Sequence, residues 1–252
     1  MFIKVIGSIN SLKMKVIISR KDVAGMNIQR FLRGADIELV EEDIIYCCPK
    51  SIGPFIFASR HKAESGKPSL TVHTTGNFGK ALFGGENCTL NPCNALLMAE
   101  AVRKLKEINS LKEFDVILEC THHGPTLDNE LLFIEVGSKE KDWQNLKACK
   151  IVANVVKYLS ECKPERTPVA IGLGGQHYPK KFSLLTFEKE YSFGHICPKY
   201  AIEKLNENLV NQMIEKTHPL PEVALIDKKS MNSNQRNFVK NLLNGKIDIE
   251  EV

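Results

Sequence analysis

The chain lacks the short signatures from which many enzyme readings start. It has no Gly-x-Ser-x-Gly turn to lift a serine nucleophile and no His-Glu-x-x-His helix. No Walker or Gly-x-Gly-x-x-Gly loop is present, so nucleotide binding has little support. No stretch approaches the ~18 apolar residues of a membrane helix, and the N-terminal run from Phe2 to Gly7 is too short for a signal-peptide core. The eight cysteines show no paired Cys-x-x-Cys spacing of a zinc ribbon, and no secretory segment argues for disulfides. They read as small buried hydrophobes of a cytoplasmic protein. A net charge of +4 permits an acidic partner such as RNA without requiring one.

What is present is an alternation of strand-like and helix-like segments. Asp22 can cap a helix through Arg33, and extended runs follow at Ile37–Val40, Phe55–Ser59 and Leu70–Thr74. Asn91-Pro92 reads as a helix start. Phe114–Thr121 and Leu131–Val136 read as strands, and a long helix is expected from Asp142 to Cys162. Val169–Leu173, Phe182–Phe187 and Val223–Ile226 read as further strands; Pro198 and Ser233 open further helices. The fold class expected is α/β, with a mixed, mostly parallel sheet and helices on both faces. All 252 residues are read as one domain, with a subregion over residues 1–90. Met14 opens a natural first strand, so residues 1–13 are either an extension with a mis-assigned start or an ordinary edge strand.

The chemistry concentrates in Glu119-Cys120-Thr121-His122-His123-Gly124-Pro125-Thr126. A persisting pleat would send His122 and His123 to opposite faces, leaving one in the site and the other a packed, hydrogen-bonded histidine, whereas the Gly124-Pro125 turn can interrupt it; which of the two acts stays open. Glu135 sits inside the apolar run Leu131–Val136, where a carboxylate requires a partner or a metal. Glu119 is similarly placed; the alternative for both is an edge strand facing solvent. His177 follows the strand Val169–Leu173, His73 lies near the end of Leu70–Thr74, and His195 falls in a glycine-flanked loop. Ligands of open α/β sheets bind beyond strand carboxyl ends, which favours convergence of these loops. Histidines and carboxylates together suit zinc with an open coordination position. Gly84-Gly85, ahead of Asn91-Pro92, can hold a phosphate or oxyanion.

Taken together, Thr71–Gly79, Thr121–Thr126, Glu135–Ser138, Gly174–Tyr178 and Gly194-His195 resemble the archaeal and plant type of D-aminoacyl-tRNA deacylase, the D-tyrosyl-tRNA deacylase family. The resemblance covers the chain from about Met14 to its end. It implies hydrolysis of the ester between a D-amino acid and tRNA (chiral proofreading in translation), dependence on one or two zinc ions, and a fold related to peptidyl-tRNA hydrolases and nucleoside phosphorylases. His122, His123, Glu135 and His177 are then the expected catalytic and metal-ligating residues. His73, Asn77, Gly85, Lys180, Lys181 and His195 are the expected substrate contacts. The expected partner is the acceptor end of tRNA, with no membrane and no obligate protein partner, the chain acting as a monomer. Two rival readings remain: a zinc amidohydrolase or peptidase acting on small amides, and a non-catalytic RNA-binding, phosphorylase-like protein.

Overall fold

The β-branched run Lys15–Ser19 forms the first strand, β1, of the computed structural model, which describes residues 14–252. The expectations for residues 1–13 lie outside the described residues. Asp22 caps α1 (Val23–Gln29), its carboxylate accepting from Gly25 N at 2.7 Å. There follow β2 (Ile37–Val40), β3 (Phe55–Lys62), β4 (Ser69–His73), β5 (Cys93–Asn94), α2 (Ala95–Ile108), β6 (Asp115–Leu118) and β7 (Leu131–Ser138). Next come α3 (Glu140–Trp143), α4 (Leu146–Leu159), β8 (Val169–Leu173), α5 (Lys180–Phe187) and β9 (Ser192–Cys197). The chain ends with α6 (Glu207–Glu215), β10 (Thr217–His218), β11 (Val223–Ile226), α7 (Ser233–Leu243) and β12 (Asp248–Glu251).

The strands form a mixed, mostly parallel architecture spread over two main sheets. The larger has six strands in the order β2-β1-β3-β7-β4-β6, antiparallel only where β4 meets β7. The smaller has the parallel order β12-β11-β8-β9, and β5 pairs with β10 in a short ribbon. Strand alternation sorts the side chains of the larger sheet. Ile56, Ala58, Val72, Ile134 and Val136 pack with Ile28 of α1, Met98 and Val102 of α2, and Val152 and Val156 of α4. Ile17, Phe57 and Phe133 point the other way and pack with Val40 and Ile44. No α-helix contributes to that second cluster among the described residues. The smaller sheet has helices on both sides: Leu225 shares the first cluster with Phe182 of α5, whereas Ile226 packs with Leu209 of α6 and Val239 of α7. One face of the larger sheet is thus free of helices, and the site is built there.

Several elements differ from the sequence expectation for physical reasons. Asn91 does not cap a helix. Its amide is drawn into the core, donating to Thr75 Oγ1 at 2.5 Å and Pro125 O at 2.6 Å, and Asn94 caps α2 instead. The long helix is interrupted because the Asn145 side chain accepts from Lys147 N and Ala148 N and starts α4 afresh. Phe182–Phe187 is not a strand but most of α5. Its buried positions Phe182, Ser183, Leu185 and Thr186 follow helical spacing and Leu184 is exposed. The Pro198 helix is a 3₁₀ turn, Lys199–Lys204, followed by a separately capped α6. Residues Ser192–Cys197, read as a loop, form the wholly buried strand β9. Gly194 allows it there, since any Cβ would run into the Thr217 side chain.

Asp22 is buried and also accepts from Arg60 N of β3 at 2.9 Å, so one carboxylate ties α1 to the sheet. Asp22→Ala should lower the unfolding free energy by about 2 kcal/mol, read as a lower urea midpoint at unchanged m-value.

Candidate active site

Alternation on the helix-free face sets the first members of the site. Ser59 and His61 of β3 lie beside Glu135 of β7, with Ser59 in register with Glu135 and His61 with Gly137. On the other side of β7, Thr71 of β4 is in register with Glu135 and His73 with Phe133. Gly137 makes room for His61: an added Cβ would lie 2.7 Å from the ring and 3.0 Å from Ser69 Oγ. Beyond β6 the chain passes from one sheet to the other. Glu119 N donates to Val72 O of β4, Cys120 N to His177 O in the loop after β8, and Thr121 N to Ile196 O of β9. This crossing brings His177 against Glu119. At His123 the backbone takes φ 41°, the left-handed region that breaks strand alternation. The His122 and His123 rings consequently lie 4.3 Å apart, and both line one cavity.

That cavity measures about 1010 Å³, and His61, Asn77, Glu135 and His177 also line it. Glu119 and Glu135 are only 1% and 3% exposed, so neither carboxylate faces solvent, although Glu119 follows the edge strand β6 whereas Glu135 lies in the central strand β7. Burial alone would raise both. For Glu135 it is outweighed by the hydrogen bond and charge of His61 and by the neighbouring His73 ring; for Glu119, by the charge of His61 and the hydrogen bond to His177. His61 lies between them, with Nδ1 3.1 Å from Glu119 Oε1 and 3.5 Å from Glu135 Oε2, and its Nε2 is 2.5 Å from the Tyr178 hydroxyl. His177 Nε2 donates to Glu119 Oε2 at 2.7 Å, and Ser59 Oγ donates to Glu135 Oε1 at 2.6 Å. Burial opposes the charge on His61 and His177, yet their carboxylate contacts raise both. His177, also hydrogen-bonded to Cys120, reaches about 10. His122 and His123 go the opposite way. Burial and neighbouring imidazoles push His122 well below its ordinary range and His123 to about 4.

A second pattern lies in the hydrogen bonds of three further rings. The Nδ1–H of His122 donates to Cys120 O at 2.8 Å, that of His123 to Gly124 O at 2.5 Å and that of His73 to Thr74 O at 3.0 Å. A carbonyl only accepts, so each Nδ1 carries a proton, and in His122 and His123, whose proton affinity is lowered, Nε2 presents a lone pair. His73 Nε2 is buried without a hydrogen-bond partner, 3.4 Å from Glu135 Oε2. An unpartnered buried ring nitrogen beside a carboxylate offers a cation two ligand atoms. His73, His122 and His123 bring donor atoms within 4.8 Å of one another; so do Cys120, His122 and His177, and His61, Glu119 and Glu135. Imidazole, thiolate and carboxylate donors, with backbone carbonyls fixing the tautomers, fit zinc.

The remaining expected residues are placed differently. His73 is fully buried behind the pair, 4.3 Å from the His122 ring. Asn77 lines the cavity but its amide braces a loop, donating to Gly84 O and Glu86 O. Gly85 is a contact between loops: its φ is +77°, and a Cβ there would come within 2.9 Å of Thr126 Oγ1 and 3.1 Å of Gly124 Cα. Lys180 and Lys181 start α5 and are not among the cavity-lining residues. His195 is inside β9, fully buried and away from the cavity lining. Both of its ring nitrogens are used: Nε2–H donates to Asn91 O at 2.9 Å and Nδ1 accepts from Thr121 Oγ1 at 3.2 Å. Burial holds it at about 3. Sequence reading missed His61, Cys120, Tyr178 and Tyr200. For His61 there was a signal, since continuing the period of two beyond Ser59 puts it on the Glu135 face.

The sequence profile of the family described as D-aminoacyl-tRNA deacylase matches residues 49–250. A D-aminoacyl-tRNA deacylase of Ignicoccus hospitalis is 40% identical over 182 residues, covering 72% of this chain and 74% of its own. One from Methanocaldococcus jannaschii is 36% identical over 264 residues, covering 96% of this chain and all of its own. The crystal structure of a conserved protein of unknown function superposes with a TM-score of 0.88 at 27% identity, over 95% of both chains.

Because His61 crosses Gly137, Gly137→Ala should displace the ring from between the glutamates. A loss of about 1–3 kcal/mol in unfolding free energy is expected, together with a shift of the His61 ring resonances in histidine-selective NMR.

Proposed function

The chain belongs to the D-aminoacyl-tRNA deacylase family, and from that premise we propose that its cavity hydrolyses the ester joining a D-amino acid to tRNA. The products are free D-amino acid and tRNA, and the role is chiral proofreading in translation. The observation that carries this reading is the convergence of neutral His122 and His123, each with a free Nε2 lone pair, on a cavity backed by two ionised glutamates. An aminoacyl ester is already activated, so a positioned water and a stabilised oxyanion suffice without a serine nucleophile.

In this mechanism the water oxygen adds to the ester carbonyl carbon. The bond to the ribose oxygen then breaks, and that oxygen leaves with the proton that the attacking water gives up. His122 and His123 present their Nε2 lone pairs to the cavity, and their low proton affinity keeps them neutral and open. His177, held protonated by Glu119, supplies positive charge beside the carbonyl oxygen as it gains negative charge. Glu135, fixed by Ser59, His61 and His73, holds the ring of His73 and the charge balance of the cluster. His73, His122 and His123, with Glu135 3.4 Å from His73, are the residues that would hold zinc. When bound, zinc supplies Lewis acidity to the carbonyl. Enclosure of both sheets by one continuous apolar cluster supports a single domain. No helix among the described residues is long and apolar enough to cross a membrane. We place the protein in the cytoplasm as a monomer.

The test is chiral. Purified protein should release D-tyrosine from D-tyrosyl-tRNA and leave L-tyrosyl-tRNA intact, and chelation should abolish the reaction until zinc is restored. His122→Ala and Glu135→Gln should each lower kcat/KM at least about 100-fold. Equal rates on both enantiomers, or full activity in both variants, would refute the proposal.

A further inference from the structure

One edge of the cavity, built from residues 79–83 and 198–204, has a composition that hydrolysis of the ester does not explain. Leu82 and Phe83 are each 66% exposed. They sit on a loop that is braced rather than loose: Cys88 N donates to Gly79 O, Ala81 N to Asn87 Oδ1, and Gly124 N to Phe83 O at 3.0 Å. Two large apolar side chains held outward on a fixed loop call for an occupant. Tyr200 joins this edge to the chemistry. Its side chain is 58% exposed, while its hydroxyl lies 3.5 Å from His177 Nδ1 and 3.4 Å from Cys120 Sγ. Lys80 and Lys204 supply exposed cationic heads, and the Lys204 stem lies over Gly79, where a Cβ would come within 2.9 Å of it. Among the described residues, no acidic side chain of these two segments lines the cavity. The volume, about 1010 Å³, is at the upper end for a small-molecule pocket. It has room for an aminoacyl group and a terminal nucleoside together.

Resting on the function proposed above, we infer that this edge is the seat of the unpaired 3′ end of the RNA. Phe83 and Tyr200 stack bases, and Lys80 and Lys204 meet the phosphates behind them. Exposed aromatics beside cations are the standard means of holding single-stranded nucleic acid, because every base has a face to stack and every linkage a charge to neutralise. The complementarity favours RNA over an apolar peptide, which would gain nothing from the lysines.

The experiment compares D-tyrosyl-tRNA with the D-tyrosyl ester of adenosine, which keeps the base and ester but lacks the phosphates. Lys80→Glu/Lys204→Glu should raise KM for the tRNA about tenfold with kcat unchanged. It should also flatten the dependence of log(1/KM) on log salt by about 1.4, at ~0.7 per phosphate contact. The same variant should cleave the adenosine ester at the wild-type rate, which also establishes that it is folded. Phe83→Ala should raise KM for both substrates about tenfold. Lys150→Glu/Lys157→Glu, an equal charge change on α4, should alter neither. Unchanged KM and salt slope in Lys80→Glu/Lys204→Glu, or equal losses in the α4 control, would overturn this seat while leaving the proposed reaction intact. A loss confined to Phe83→Ala would indicate an apolar occupant and overturn it as well. Failure of the wild type to hydrolyse D-tyrosyl-tRNA would instead remove the functional reading itself.

Discussion

Two carboxylates buried on the helix-free face of the larger sheet constrain most of what surrounds them. Glu119 and Glu135 are almost fully removed from solvent, and an isolated ionised carboxylate in that position would be prohibitively unstable. Partners must therefore be delivered to them from several elements. His61 comes from β3, and can do so only because Gly137 leaves its ring a path. His73 comes from β4 and Ser59 from β3. His177 is delivered from the other sheet, which is possible because residues 119–121 pair successively with β4, the His177 loop and β9. The joining of the two sheets and the satisfaction of Glu119 are thus one structural event.

The same contacts divide the histidines into two chemical classes. His61 and His177, in contact with buried carboxylates, have their proton affinity raised, His177 to about 10. His122 and His123, which donate to backbone carbonyls and crowd other imidazoles, stay neutral with an open lone pair. A single short stretch of chain supplies a carboxylate, Glu119, and two of the neutral rings, so its role is to place opposite electrostatic characters within one cavity wall. The left-handed turn at His123 is what lets adjacent residues share that wall.

Much of this was visible in the sequence as local anomaly. Glu135 stood out because a charge interrupts an apolar run, and His122-His123 because two imidazoles beside Gly-Pro make poor core. The alternation of elements correctly indicated an α/β fold with mixed, mostly parallel pairing. What was not visible depends on contacts distant in sequence. His61 follows Arg60 and precedes Lys62, so its strand looked finished at Ser59, although β3 continues to Lys62 against β7. Residues Ser192–Cys197 carry no polar alternation because β9 is buried throughout, and a strand with Gly194 and His195 at its centre resembles a loop. The aromatic and β-branched composition of Phe182–Phe187 outweighed its helical burial period. Asn91 has the sequence of a helix cap, yet Thr75 and Pro125, remote in the chain, claim its amide.

His195 shows what separates a structural histidine from a reactive one in this fold. By sequence it resembled His177, since each lies close behind a glycine and outside the expected strands. In three dimensions both nitrogens of His195 are consumed inside the protein, by Asn91 O and Thr121 Oγ1, and the ring is held neutral as a crosslink beneath the site. Thr121 in turn accepts from Ile196 N, so this crosslink fixes the residue immediately before His122. His122 and His123 each spend one nitrogen on the backbone and keep the other toward the cavity. The number of ring nitrogens already bonded, more than the histidine's neighbours in sequence, decides which role it takes. One buried histidine therefore supports the chain from which two others reach into the cavity.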